Sequence, residues 1–296
     1  MDFDYLTKIT KIYSYDYKKK HPDALRENKI LNQAKRQVRG FEELLDRFER
    51  TVSVLGRSAS TFNNYSRHVA AISLYFGKIP TELDAEQVQD YLFYQQKKSK
   101  TPSQTYFKHC VYGLRFLLKS EGLPYEFLRL PSIKHEKKLP VVLSKEEVWA
   151  MLQGAKLLKH KILIGLLYGC GLRCMEARSV RLQDLDFDRK QLKVVQGKGK
   201  KDRYVPLSEH LIRGLKKYIE AEKPQEYLFN GQPLPTGAGG DFDNRYSQRG
   251  VQWAVKQVAK AAGVKKEVHT HTLRHSYATH LLEDGMDIMT LKDLLG

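Results

Sequence analysis

Apolar side chains recur three or four positions apart through much of the chain, a period that predicts helices. Phe62, Tyr65, Val69, Ile72 and Phe76 make one stripe, with Thr61 as the expected N-cap and Gly77 as the stop. Asp84 and Gln87 have the spacing of a capping box ahead of Val88, Tyr91 and Leu92. Ser103 is placed to cap a further stripe of Phe107, Val111, Leu114 and Leu118, closed by Gly122. Residues 41–130 are therefore expected to form a small helical bundle. The spacing of Phe62, Tyr65, Tyr75, Phe76, Tyr91, Phe93 and Tyr94 assigns most of those rings to its core. Residues 1–40 are polar and rich in Tyr and Lys, and are read as an N-terminal extension with one short helix.

The pattern breaks at Pro131 to Pro140, where two prolines and four charged residues disfavour helix and predict an extended linker over 131–142. A second domain, 143–296, opens with Ser144 and Glu147, another capping box, ahead of Val148, Met151 and Leu152. The apolar run to Tyr168 ends at Gly169 and Gly171, and the next helix starts with Arg173 and carries Glu176 one turn on. The period then changes from helical to β. Gln191 to Gln196 and Arg203 to Leu207 flank Gly-Lys-Gly-Lys-Lys-Asp, which predicts a hairpin with Lys198 near its tip. Ser208 is expected to cap a helix carrying Leu211, Leu215 and Tyr218. Residues 230–250 read as a mobile Gly- and Pro-rich loop. Helices follow over about 248–262, 271–283 and from 287. The fold class is mostly α with a small antiparallel β-sheet.

Composition narrows the partners. In 296 residues, Lys and Arg outnumber Asp and Glu by 51 to 34, a formal charge of +17, and the excess lies in both halves. A polyanion touching both halves accounts for this, as each phosphate neutralised releases counterions, although a merely soluble basic protein accounts for it equally well. Cys110, Cys170 and Cys174 read as ordinary intracellular thiols. With no signal peptide and no apolar span of membrane length, the expectation is a cytoplasmic protein without a membrane partner.

Five residues stand out chemically: Arg173, Lys198, His271, Arg274 and His275. A guanidinium presents a planar fork that matches two phosphate oxygens, and imidazole moves protons near neutral pH. Together they suggest phosphoryl transfer at a phosphodiester without a metal. Each has a plainer reading. Arg173 can be a surface partner of Glu176, Lys198 a solvated turn residue, and the 271–275 run a capping His beside a solvated Arg-His pair. His271, Arg274 and His275 fall on one helical face by their spacing. Zinc held by His269, His271, His275, His280, Cys170 and Cys174 is disfavoured, since Cys-x3-Cys is not a usual zinc spacing and arginines lie alongside. No cofactor is expected, and no phosphate loop for ATP occurs.

Leu-Tyr-Gly-Cys-Gly-Leu-Arg173-Cys-Met-Glu176, then Gly-Lys198-Gly-Lys-Lys-Asp-Arg-Tyr-Val-Pro-Leu, then His271-Thr-Leu-Arg274-His275-Ser-Tyr-Ala-Thr-His-Leu, closely resembles the tyrosine recombinase (phage integrase) family. The nearest flavour is the Xer-type and the transposon or integron integrases. The resemblance implies a two-domain C-shaped clamp on double-stranded DNA: a helical core-binding domain at 41–130 and a catalytic domain at 143–296. It implies a tetramer on synapsed DNA, and strand cleavage and rejoining through a 3′-phosphotyrosyl intermediate. Arg173 and Arg274 then grip the scissile phosphate, and Lys198 protonates the leaving 5′-oxygen. His271 takes an acid/base or phosphate-contacting role, with Glu176 and His275 in support. The family's nucleophilic tyrosine follows a Leu-Gly-His motif, and the sequence stops at Leu294-Leu295-Gly296. The expectation is a form truncated before its nucleophile that binds DNA without cutting it. Tyr277 and Tyr204 are read as packing and strand residues, not substitutes. The rivals are a non-catalytic protein occupying recombination sites and a phosphodiesterase using His271 and Lys198.

Overall fold

The computed structural model describes residues 29–98, 104–130, 139–195, 202–231 and 243–296, in two compact units divided between Lys137 and Lys138. In the first unit, α1 (Lys29–Gln37), α2 (Phe41–Val54), α3 (Ala59–Phe76), a 3-10 turn at Pro80–Glu82, α4 (Ala85–Lys98) and α5 (Gln104–Ser120) follow in order. The N-cap of α3 is Ser58, whose hydroxyl accepts from the Thr61 amide; Thr61 lies inside the first turn. Ser58 has the extended backbone a cap requires, whereas Thr61 already follows the helix. The capping box of α4 forms as expected, with the Asp84 and Gln87 side chains each accepting from the other's backbone N–H. Ser103 lies outside the described residues.

The stripes meet around Phe41, Phe48, Phe62, Ile72, Tyr91, Phe107 and Leu114, all buried. Helix α3 packs chiefly on α5 and α1. At Gly113 a methyl group would sit 3.1 Å from Tyr65 Cβ and 3.2 Å from its Cα, so the absent side chain lets α3 and α5 approach. Most of the seven rings expected in the core lie in it or against it, Tyr65 and Phe76 at its edge. Phe62 and Tyr91 are core, but Tyr75, Phe93 and Tyr94 are exposed. On a short helix a wide apolar stripe runs past the face that its neighbours cover, and Lys97 and Lys98 lie over the Phe93 and Tyr94 rings.

The second unit is built around α7 (Leu158–Gly169), whose Ile162, Leu163, Ile164, Leu166 and Leu167 are buried on every side. A helix apolar all round belongs in the centre, and α6 (Lys145–Gly154), α8 (Cys174–Arg178), α9 (Glu209–Glu222), α10 (Gln248–Ala261) and α11 (Thr270–Glu283) surround it. Ser144 and Glu147 form the foreseen capping box on α6, and Ser208 caps α9 through the Leu211 amide. A last helix, α12 (Ile288–Leu295), is capped by Asp287 and packs on α11.

Strands β2 (Gln191–Val194) and β3 (Arg203–Pro206) form the hairpin, pairing Val194 with Arg203 and Leu192 with Val205. A third strand, β1 (Leu185–Asp186), pairs antiparallel with β2; two residues are too few to show a period in the sequence. The hairpin tip, with Lys198, lies outside the described residues. So do residues 232–242 of the loop read as mobile. The described flanks of that loop are anchored: Asn230 bridges to Arg245, and buried Arg178 donates to the Tyr246 carbonyl and to Asp243.

Candidate active site

Helix α7 ends at Gly169, and the chain turns through Gly171 at φ +59°. A side chain there would meet the Tyr277 ring at 2.6 Å, so glycine serves both the left-handed backbone and the close approach. Arg173 then stands in extended conformation as the N-cap of α8. The Glu176 carboxylate reaches back to accept from the Arg173 amide at 2.8 Å and from its guanidinium at 2.9 Å. This is the ion pair of the plain reading, but it is one part of a larger cluster.

Arg203 brings a second guanidinium to the same carboxylate. Its Nη1 and Nη2 donate to the two Glu176 oxygens at 3.0 and 2.7 Å, a two-pronged contact. Arg274 brings a third, its Nη1 lying 3.8 Å from Glu176. The three cations also converge on the end of α12. Arg274 donates to the Gly171 carbonyl at 2.5 Å and to the Leu295 carbonyl at 2.7 Å. Arg173 donates to Leu295 at 3.3 Å and to an oxygen of Gly296 at 2.7 Å, and Arg203 to Leu294 at 2.9 Å. Backbone oxygens in the last turn of a helix carry its negative partial charge and lack partners within the helix, so guanidiniums complement them.

Arg274 is only 8% exposed, which rules out the solvated Arg-His pair. Burial, and then Arg173 beside it, lower its pKa to about 10, so it stays charged at neutral pH. For Glu176, burial opposes the charged form. Hydrogen bonds from Arg203 and from the Arg173 backbone and side chain outweigh it and bring the carboxyl to about 2. A depressed folded-state pKa stabilises the fold above the ordinary value of 4.5 and loses that contribution as pH falls toward 2. The contribution is on the order of 3 kcal/mol. Unfolding free energy measured across that window should fall with acidity, and Glu176→Gln should remove part of the slope. An unchanged slope would mean that the carboxyl is not held ionised.

His271 and His275 are exposed on α11, rings 6.4 Å apart, while Arg274 points inward. The single face expected of the three divides by depth, since residues three and four apart on a helix differ by tens of degrees in direction. Burial, His275, Arg274 and Arg173 lower the His271 pKa, leaving a neutral imidazole at pH 7 that can accept a proton. The zinc candidates are used otherwise: His280 Nδ1 pairs with the Tyr168 hydroxyl at 2.8 Å, and His269 with Glu267. Among the described residues no three His, Cys, Asp or Glu side chains gather as a metal-binding group. Tyr277 is buried against Gly171 with its phenol pushed up by burial, and Tyr204 is exposed on β3.

Arg203 escaped the sequence reading. The signal was there in the period of two: Arg203, Val205 and Leu207 alternate with Tyr204 and Pro206, so Arg203 shares the inward face. The strand reading places Arg203 at the start of Arg203 to Leu207 but gives its side chain no role.

With three guanidiniums gathered on one carboxylate and one helix end, this unit matches a known family. The model described as Phage integrase family covers residues 141–296. The chain belongs to the phage integrase family. This phage integrase relative is 34% identical over 252 residues to a tyrosine recombinase of Thermosipho africanus, covering 81% of this chain and 85% of that protein. It is 33% identical over 257 residues to the tyrosine recombinase XerA of Thermococcus kodakarensis, covering 86% of each. Its fold is that of the XerH site-specific recombinase bound to palindromic difH substrate, with TM-score 0.62, 19% identity, and 90% and 86% of the two chains covered. The Tn1549 transposon integrase in complex with circular intermediate DNA also superposes, with TM-score 0.62, 16% identity and coverage of 86% and 91%. The mostly helical architecture with one small antiparallel sheet is thus the tyrosine recombinase fold. Among the described residues no helix is long and apolar enough to cross a membrane.

Proposed function

We propose that this protein is a site-specific DNA recombinase that cuts and rejoins strands without a metal ion. The observation that carries the proposal is the meeting of Arg173 and Arg274 on one acceptor, the Leu295 carbonyl. Two guanidiniums aimed at one point can instead hold two oxygens of a phosphodiester. Their charge gains most as the phosphorus becomes five-coordinate and its oxygens more negative. A tyrosine hydroxyl attacks the phosphorus, the bond to the 5′-oxygen breaks, and that oxygen takes up a proton. The 5′-hydroxyl of another strand then attacks the 3′-phosphotyrosyl link so formed and gives up its proton, the bond from phosphorus to the tyrosine oxygen breaks, and that oxygen is reprotonated. Lys198 is assigned to protonate the 5′-oxygen and His271 to handle the proton of the nucleophile, with Glu176 and His275 supporting. Residues 41–130 act as the core-binding domain and 143–296 as the catalytic domain, joined by 131–142, and four copies assemble on paired duplexes.

Selection from random-sequence duplexes in EDTA tests this reading. Copies related by a two-fold axis should enrich two inverted half-sites around a short spacer. Affinity should also fall linearly with the logarithm of salt concentration. Enrichment of no sequence, or binding that requires a divalent ion, would count against it.

A further inference from the structure

We propose that Arg203 is a positioning residue of this site, holding the Glu176 carboxylate so that the charges of Arg173 and Arg274 stay free for an anion; the inference rests on the phosphate-gripping reading above. Glu176 is almost fully buried, its side chain 6% exposed, and a buried carboxylate must find partners. Arg203 meets both of its oxygens, at 3.0 and 2.7 Å, whereas Arg173 reaches one with its side chain and Arg274 stands 3.8 Å away. Of the three guanidinium hydrogen bonds the carboxylate accepts, two therefore come from Arg203 on β3 and one from Arg173, whose backbone amide adds a fourth at 2.8 Å. Without Arg203 its lone pairs would turn to Arg173 and Arg274, and a negative charge would be set against the very groups that must attract phosphate.

The same guanidinium does a second job. Its Nε donates to the Leu294 carbonyl at 2.9 Å, next to the Leu295 carbonyl on which Arg173 and Arg274 meet. Its own position is stiff, since Arg203 pairs with Val194 in the sheet and the alternate residue Val205 is buried. A lysine could supply the charge but not three donors in a fixed plane.

The test uses the 296-residue chain and inorganic phosphate, followed through the NMR resonance of the His271 ring. Loss of the positive charge that shares Glu176 with Arg173 should weaken phosphate binding on the order of tenfold in Arg203→Ala. The double variant Arg203→Ala/Glu176→Gln should recover most of that affinity, because the unpaired negative charge is gone. A side chain that only held the fold together would leave the double variant as weak as the single one. If Arg203→Ala does not fold, Arg203→Gln with and without Glu176→Gln makes the same comparison. The inference is overturned if the single variant binds phosphate as the unaltered chain does, or if the double variant binds no tighter than the single. An unaltered chain that binds no phosphate would overturn the reading of Arg173 and Arg274 itself, and this inference with it.

Discussion

Arg274→Ala is expected to weaken inorganic phosphate binding roughly a hundredfold, on the scale of the one or two charge-assisted hydrogen bonds it would remove. Affinity for duplex DNA should change far less, because one phosphate contact is lost among many. Phosphate titration and a gel mobility shift at fixed salt read the two effects separately. The separation follows from where the charge sits. Arg274 is buried, beside Arg173 and Arg203, and its charge is disfavoured both by burial and by Arg173. A cation kept in so costly a place is what the proposed phosphate-gripping role of Arg274 requires. If the variant instead lost duplex binding and kept phosphate binding, the role assigned to Arg274 would be wrong.

Gly171→Ala should destabilise the second unit by about 3 kcal/mol, combining the left-handed backbone penalty with overpacking. The backbone there has φ +59°, and the added carbon would meet the Tyr277 ring at 2.6 and 2.7 Å and a Leu295 methyl at 3.0 Å. Those neighbours cannot retreat cheaply, since Tyr277 is packed in the core and Leu295 carries the carbonyl that two arginines share. Gly263→Ala is the control. Its φ is +69°, but nothing lies within 4 Å of the position, so only the backbone penalty of about 1–2 kcal/mol applies. Urea unfolding of both variants compares them directly, and equal losses would show that the contact with Tyr277 is not what demands glycine.

The local parts of the fold were legible because their causes are local. Ser144 with Glu147, Asp84 with Gln87, and Ser208 with Leu211 interact across three residues, a distance the helix itself sets. The hairpin was legible for the same reason, its two paired strands lying only a few residues apart in the chain. Errors fell where several local answers were equally good, as with Thr61 and Ser58, or where burial depends on a distant neighbour. Phe93 and Tyr94 fit a helical stripe as well as Tyr91 does, but of the three only Tyr91 is buried by its neighbours.

By itself the sequence determined which residue types the site has to work with: Arg173 beside Glu176, and Arg274 between two histidines, each in a context that suits an anion. Only the tertiary structure decided that they act as one group. Arg274 meets the Gly171 carbonyl across 103 positions of chain, and Arg203 meets Glu176 across 27. No residue spacing encodes those meetings. They follow from packing the helices around α7 and the sheet beside them, which puts distant cations against the same carboxylate and helix end. That is also why Arg203, an ordinary strand residue beside a basic turn, joins the site only once the chain is folded.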